Sequence, residues 1–175
     1  MDYLPLFHNL KGRNIMVVGG GEIALRKVRL VQEASAIITI VAKDFCPDLL
    51  AMDAADKKHG CNGLHLVTAA YEHQHMLDIP NIVMVIAATN DRDLNRLVSE
   101  HAQSANILSN VVDDPGFSTV IFPSIVDRSP IQIAISSGGD APVLVRLLRT
   151  KFEALLPAGM SKLGALAGSF RERVK

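Results

Sequence analysis

Residues 14–24 read "NIMVVGGGEIA". A β-branched apolar run, Asn14 to Val18, stops at three consecutive glycines, and a helical pattern opens directly after them. Gly19, Gly20, Gly21, Glu22, Ile23 and Ala24 satisfy G-x-G-x-x-A. In that pattern the first glycine allows the tight strand-to-helix turn. Gly21 lets a pyrophosphate approach the backbone, and Ala24 permits close helix–strand packing. The free N–H groups of the helix N-terminus then face the phosphates. A purely structural glycine turn is the competing reading. The placement between a strand and a helix near the N-terminus favours a dinucleotide site.

Outward from this turn the chain alternates strand and helix. Glu22 to Ala34 reads as a helix, with Ile23, Leu30, Val31 and Ala34 near one face. Ile37 to Val41 is a second strand, and Asp44 to Lys58 a loop and helix with Pro47 near its start. Leu64 to Thr68 is a third strand, and Ile82 to Ala87 a strand apolar on both faces, as a parallel sheet requires. Asp91 to Ser104 is a helix with Leu94, Leu97, Val98 and Ala102 inward, and Ile107 to Val112 a further strand. The expected fold class is therefore α/β, a Rossmann-like doubly wound parallel sheet. After Asp113 the pattern changes. Thr119 to Phe122 and Ile131 to Ser136 are expected to pair antiparallel across "DRSP", because no helix fits between them. "PVLVRLLRTKFEALL" is helical from Pro142, Pro157 interrupts it, and a last helix runs to Val174. The expected regions are 1–115, a dinucleotide-binding domain; 116–146, a small β-ribbon dimerisation region; and 147–175, C-terminal helices. A lone ribbon is too small to fold well by itself, so it is expected to pack on the first domain or on a second subunit.

Composition excludes several classes. The 175 residues carry 18 basic and 18 acidic side chains, so there is no bulk basic surface for nucleic acid. Tryptophan is absent and aromatics make up 5%, which argues against base-stacking platforms. The longest apolar run, Ile82 to Ala88, is far short of a membrane span. "MDYLPLF" is acidic, contains proline and does not resemble a signal peptide. Cys46 and Cys61 show no ligand spacing, which favours a reduced cytoplasmic compartment.

Candidate functional residues follow from one rule: in doubly wound sheets, ligands sit beyond the carboxyl ends of the strands. Lys43 and Asp44 follow the second strand. Asp44 suits a ribose 2′-OH and so NAD, whereas Lys43 suits a 2′-phosphate and so NADP; the balance leans to NAD. Thr89, Asn90 and Asp91 follow the fourth strand, as cofactor neighbours, as a helix cap, or as both. "SNVVDDPG", residues 109–116, places Asp113 just past the fifth strand, while Asp114 belongs to a turn with Pro115 and Gly116. On position alone Asp113 is as readily a turn residue as a catalytic one. "SSGGDAP" contains Ser136 and Ser137 before a helix that Asp140 is placed to cap, either a plain turn or an anion-binding one. His73 and His75 form an H-x-H pair that reads as solvated surface rather than as a metal site.

Several segments together, "MDYLPLFHNLKGRNIMVVGGGEIALRKVRLVQEA", "AATNDRDLN", "NVVDDP" and "FPSIVDRSPIQIAISSGGDAPVLVRLLR", resemble the siroheme synthase family over nearly the whole chain. The similarity is to its N-terminal precorrin-2 dehydrogenase and sirohydrochlorin ferrochelatase module. The middle, residues 51–81, is looser and looks longer than usual around "DKKHGCNG". The resemblance implies NAD-dependent oxidation of precorrin-2 to sirohydrochlorin, followed by insertion of Fe²⁺ as the substrate metal. It implies a homodimer. It places Glu22, Ile23, Lys43 and Asp44 at NAD-contact positions, Asp113 at the acid serving both reactions, and Ser137 at a phosphorylatable serine. A tetrapyrrole rich in carboxylates should be met by basic side chains; Arg26, Lys27, Arg128, Arg146 and Arg149 are candidates, each also readable as solvated surface. Related chains are often fused to a methyltransferase, and because "RERVK" ends within a helical pattern, this chain is expected to be a piece of a longer one. Two other functions remain open: an NAD(H)-sensing module without turnover, and a dehydrogenase for an unrelated small molecule.

Overall fold

A computed structural model describes residues 2–170 of the chain. Its elements are β1 (Asn14–Val18), α1 (Glu22–Glu33), β2 (Ile37–Ala42), α2 (Pro47–Lys58), β3 (Leu64–Thr68), α3 (His73–Leu77), β4 (Ile82–Ala87), α4 (Arg92–Ser104) and β5 (Leu108–Val111). A 3-10 turn (Pro115–Phe117), β6 (Ser124–Arg128), β7 (Ile131–Ile135), α5 (Pro142–Leu155) and α6 (Met160–Phe170) follow. The expected continuation of the last helix to Val174 lies outside the described residues. β1 to β5 form one parallel sheet in the order β3-β2-β1-β4-β5. Two crossovers run outward from β1 on one side, and the chain then returns to β4 on the other. The topological switch point thus lies between β1 and β4.

Alternation along the strands builds two core layers. Met16, Val18, Val41, Val85, Ala87 and Val111 face α3 and α4, where Met76, Val98 and Ala102 meet them. Ile15, Val17, Ile38, Ile40 and Ile86 point to the opposite face, covered by α1 through buried Ala24, Leu25, Val28 and Val31. The inward stripe of α1 therefore differs from the expected one: Ile23 and Leu30 are half-buried and Ala34 is exposed. The glycine turn sets the phase of the helix, because it docks Ala24 against the sheet. On α4, Leu97 is exposed, whereas Asn95 and Ser99 are buried beside Val98 and Ala102. Both polar side chains have partners: Asn95 bonds Thr89, and Ser99 Oγ meets Ser109 Oγ at 3.0 Å and Gln103 Nε2 at 2.9 Å.

Helix α3 has no counterpart in the sequence reading. Its start is a capping box of Glu72 and His75 rather than of serine or threonine, and Met76 anchors it in the core. The histidines near it are more engaged than a solvated pair: the Glu72 N–H donates to His75 Nδ1 at 3.0 Å, and His73 stacks on His101 at 4.1 Å. Burial pushes Tyr71 up to about 12, so its hydroxyl stays protonated. Burial and the nearby His73 lower His101, whose Nδ1 lies at hydrogen-bond distance, 3.1 Å, from the Tyr71 hydroxyl. Among the described residues, no group of three or more His, Cys, Asp or Glu is arranged to hold a metal ion, and no helix is long and apolar enough to cross a membrane.

The expected strand Thr119 to Phe122 is not a strand. Residues 118–120 instead cap the edge of β5: Ser109 N–H donates to Thr119 Oγ1 (2.8 Å), Val111 N–H to Ser118 Oγ (2.9 Å), and Thr119 N–H to Ser109 O (2.8 Å). Side-chain hydroxyls thus satisfy a sheet edge that would otherwise be open. The ribbon strand begins only after Pro123, which has no N–H to give a ladder, and β6 pairs antiparallel with β7. By compactness the chain divides into Leu4–Ile121 and a second unit from Phe122 onward that includes Tyr3. Residues 116–121 therefore stay with the parallel sheet rather than with the ribbon. In the second unit Val126 is the only buried apolar side chain among the described residues.

Ile40 is fully buried under α1. Ile40→Ala should cost about 2–5 kcal/mol. Urea denaturation checks this as a lower midpoint at unchanged slope.

Candidate functional site

The ladder continues past the ends of the strands and joins four loops at one edge. Gly19 N–H donates to Val41 O (3.0 Å), Ala88 N–H to Val18 O (2.8 Å), Val112 N–H to Ala87 O (3.0 Å) and Cys46 N–H to Gly20 O (2.7 Å). Gly19, Lys43, Asp44, Thr89 and Asp113 therefore sit along one carboxyl edge. With strands about 4.8 Å apart, Asp113 lies about 10 Å along that edge from the glycine turn.

The three glycines have different duties. Gly19 has φ +127°, and a Cβ there would collide with the Ala88 carbonyl. A Cβ on Gly20 would collide with the Asp44 carbonyl. Both are required by packing. Gly21 is extended, and a Cβ there would meet nothing within 4 Å. No protein atom demands glycine at 21, so the space in front of it is open to a ligand. Gly21 is also the N-cap of α1 and supplies no side-chain cap, which leaves helix N–H groups at Glu22 and Ile23 for an anion. An open cradle with uncapped amides fits a dinucleotide pyrophosphate. Lys43 and Asp44 are both exposed beyond β2.

Thr89 is held by the protein itself. Its N–H and Oγ1 donate to Asn95 Oδ1 (3.1 and 2.7 Å), and its carbonyl accepts from Asn95 Nδ2 (2.9 Å). Asp91 caps α4, accepting from Leu94 N–H at 3.0 Å. Asn95 was not legible as a site residue. A buried asparagine six residues beyond Thr89, on the inner face of a helix, was the available signal.

Asp113 has φ +57°, a left-handed backbone that costs an L-residue on the order of 1 kcal/mol. Its carboxylate is exposed. Lys27, in the second turn of α1, lies within its electrostatic reach. Burial and the neighbouring Arg26 lower the Lys27 ammonium, and Asp113 partly restores it. Asp114 is more than a turn residue: its Oδ2 accepts from Arg92 Nε (3.0 Å) and Nη2 (2.8 Å).

The remaining candidates belong to the second unit. Arg128 is occupied structurally, donating through Nε to Leu156 O (2.9 Å) at the end of α5 and through Nη1 to Asp127 O (2.8 Å). Ser136 Oγ accepts from Gly138 N–H (3.1 Å), and Ser137 Oγ from Ala141 N–H (2.9 Å). Ser137, not Asp140, thus serves the entry to α5, because the chain turns through Gly138 and Gly139 at positive φ before the helix begins. Arg146 is exposed on α5.

A parallel sheet with its switch point at an open glycine cradle defines a dinucleotide-binding α/β domain. A family model described as "Putative NAD(P)-binding" matches residues 6–124, and one described as "Sirohaem biosynthesis protein central" matches residues 128–155. The chain belongs to this NAD(P)-binding family. It is 48% identical over 175 residues to a siroheme synthase of Stutzerimonas stutzeri, 50% to one of Pseudomonas entomophila, and 47% over 173 residues to siroheme synthase 1 of Cronobacter sakazakii. These alignments cover 99–100% of this chain but 35–36% of the relatives, so the chain spans about a third of their length. A solved structure titled "SirC, precorrin-2 dehydrogenase" has the same fold, with a TM-score of 0.72 and 23% identity over 91% of this chain and 74% of that one.

Gly21→Asp should abolish dinucleotide binding while leaving the fold intact, since its side chain enters open space and repels the pyrophosphate. Gly20→Asp should unfold the turn instead. Calorimetric titration with NAD⁺ and thermal melting of both variants separate the two outcomes.

Proposed function

We propose that the chain catalyses NAD-dependent oxidation of precorrin-2 to sirohydrochlorin and then inserts Fe²⁺ to give siroheme, as one module of a larger enzyme. The observation that carries this reading is Asp113: an exposed carboxylate, held in a left-handed turn, on the same sheet edge as the open cradle at Gly21. The names of the relatives supply the substrate class.

NAD⁺, when bound, accepts the hydride. Gly21 and the uncapped N–H groups of α1 hold its pyrophosphate, and Glu22, Ile23, Lys43 and Asp44 border it. Asp44 beyond β2 accepts from the ribose hydroxyl, which favours NAD over NADP. Oxidation removes a hydride and a proton from the substrate, and Asp113 takes the proton. Metal insertion releases two pyrrole N–H protons as Fe²⁺ enters, and the same carboxylate receives them in turn. Lys27, kept partly desolvated beside Asp113, supplies positive charge for the substrate's carboxylates. Two free cysteines suit a reducing cytoplasm.

Asp113→Asn tests the assignment. The amide keeps the size of the side chain but cannot take up a proton. Dehydrogenation should fall about 100-fold or more, and Fe²⁺ insertion with it, at unchanged NAD⁺ affinity. Absorbance of anaerobic precorrin-2 with NAD⁺, before and after Fe²⁺, measures both. A variant as active as the parent removes the role, and a parent that binds NAD⁺ without turnover is a sensing module.

We also propose a homodimer built on the second unit. Val143, Leu144 and Leu147 on α5 are 55–60% exposed, and Leu163 and Leu166 on α6 are 55–57% exposed. Sedimentation at micromolar concentration should give twice the chain mass of 18.9 kDa. A monomer would refute the dimer.

A further inference from the structure

We propose that Arg92 is a positioning residue: through Asp114 it fixes the direction of the neighbouring Asp113 carboxylate relative to the cofactor edge. The inference rests on the proposed role of Asp113.

The residues on either side of Asp113 are pinned. Before it, Val112 N–H donates to Ala87 O at 3.0 Å. After it, the Asp114 carbonyl accepts from Ser118 Oγ at 3.1 Å and from Phe117 N–H at 3.3 Å. A left-handed non-glycine residue persists when its surroundings over-determine it. The Asp114 side chain adds the constraint that spans two loops. Its carboxylate is 16% exposed, and both Arg92 donors converge on the same oxygen at 2.8 and 3.0 Å. Arg92 is the first residue of α4, next to the cap Asp91, which is tied to Thr89. A continuous brace therefore runs from Thr89 after β4, through Asp91 and Arg92, to Asp114 after β5. One ion pair thus ties the loop after β4 to the loop after β5. The Arg92 side chain is itself 80% exposed. Removing its charge costs the core nothing, but it frees Asp114 and lets the left-handed turn relax.

Arg92→Met and Asp114→Asn should each lower kcat for precorrin-2 oxidation about tenfold, as expected for a small misplacement of a reacting group. NAD⁺ affinity and substrate KM should stay within twofold. The double variant should be no slower than the slower single one, because both remove the same link. Arg92→Lys, which keeps one charged bond, should recover part of the rate. A purely structural ion pair would lower the melting temperature and leave kcat alone. Unchanged kcat in either single variant, or additive losses in the double, overturns the proposal. Asp113→Asn run alongside separates the two readings. If it is inactive while Arg92→Met is normal, only the brace fails. If Asp113→Asn is fully active, the role of Asp113 fails, and the brace falls with it.

Discussion

Two carbonyl oxygens, those of Ala88 and Asp44, stand where the Cβ atoms of residues 19 and 20 would have to be. This close approach of three backbones is the constraint on which the site depends. It requires glycine twice, and it brings the loops after β1, β2 and β4 into one hydrogen-bonded edge. It also sets the phase of α1, and hence which residues of that helix meet the sheet. Once the edge is fixed, a ligand there meets pre-placed amides. Little ordering remains to be done on binding, and preorganisation of this kind lowers the cost of association.

The parts of this architecture legible in the sequence are those governed by local rules. A β-branched run, a glycine turn and an amphipathic helix follow from strand propensity, φ freedom and periodicity, and β1, α1, β2, α2, β3, β4, α4 and β5 lie where those rules put them. The same rules placed Asp113 past the end of β5, although its left-handed backbone was not foreseeable from "DDPG". Failure came where a side chain replaced a backbone partner. Thr119 and Val120 looked like a strand because they are β-branched. Yet Ser118 and Thr119 use their hydroxyls to close the β5 edge, and that interaction carries no periodic signature. Helix α3 was missed for a related reason, its capping box being built from Glu72 and His75.

Buried polar side chains explain the other departures. A reading that sorts residues into apolar-inward and polar-outward sends Asn95 and Ser99 to solvent and Leu97 to the core, and α4 does the reverse. A buried polar group is tolerable when its hydrogen bonds are made. Asn95 satisfies three bonds to Thr89, and Ser99 joins Ser109 and Gln103. These contacts bind α4 to the loop after β4 and to the amino-terminal half of β5, so Asn95, which looks out of place by hydrophobicity, is the residue that stiffens the site edge at Thr89. Asn110 goes further: its Nδ2 bonds Val120 O at 2.9 Å, while its Oδ1 is buried without a partner among the described residues.

The second unit shows the limit of periodicity from the other direction. Leu144, Leu147 and Leu155 fall on one face of α5, a pattern that announces a helix with an apolar side to bury. In the described residues that side is open: all three are more than half exposed, as are Val143, Leu163 and Leu166. At about 25 cal/mol per Å² of apolar area, leaving such a stripe in water forgoes several kcal/mol that a ribbon with one buried valine cannot supply from within. Periodicity therefore says that a surface is made to be covered, and it says nothing about whether the cover comes from the same chain. That information lies in a balance: the first unit closes its own core on both faces of the sheet, and the second does not.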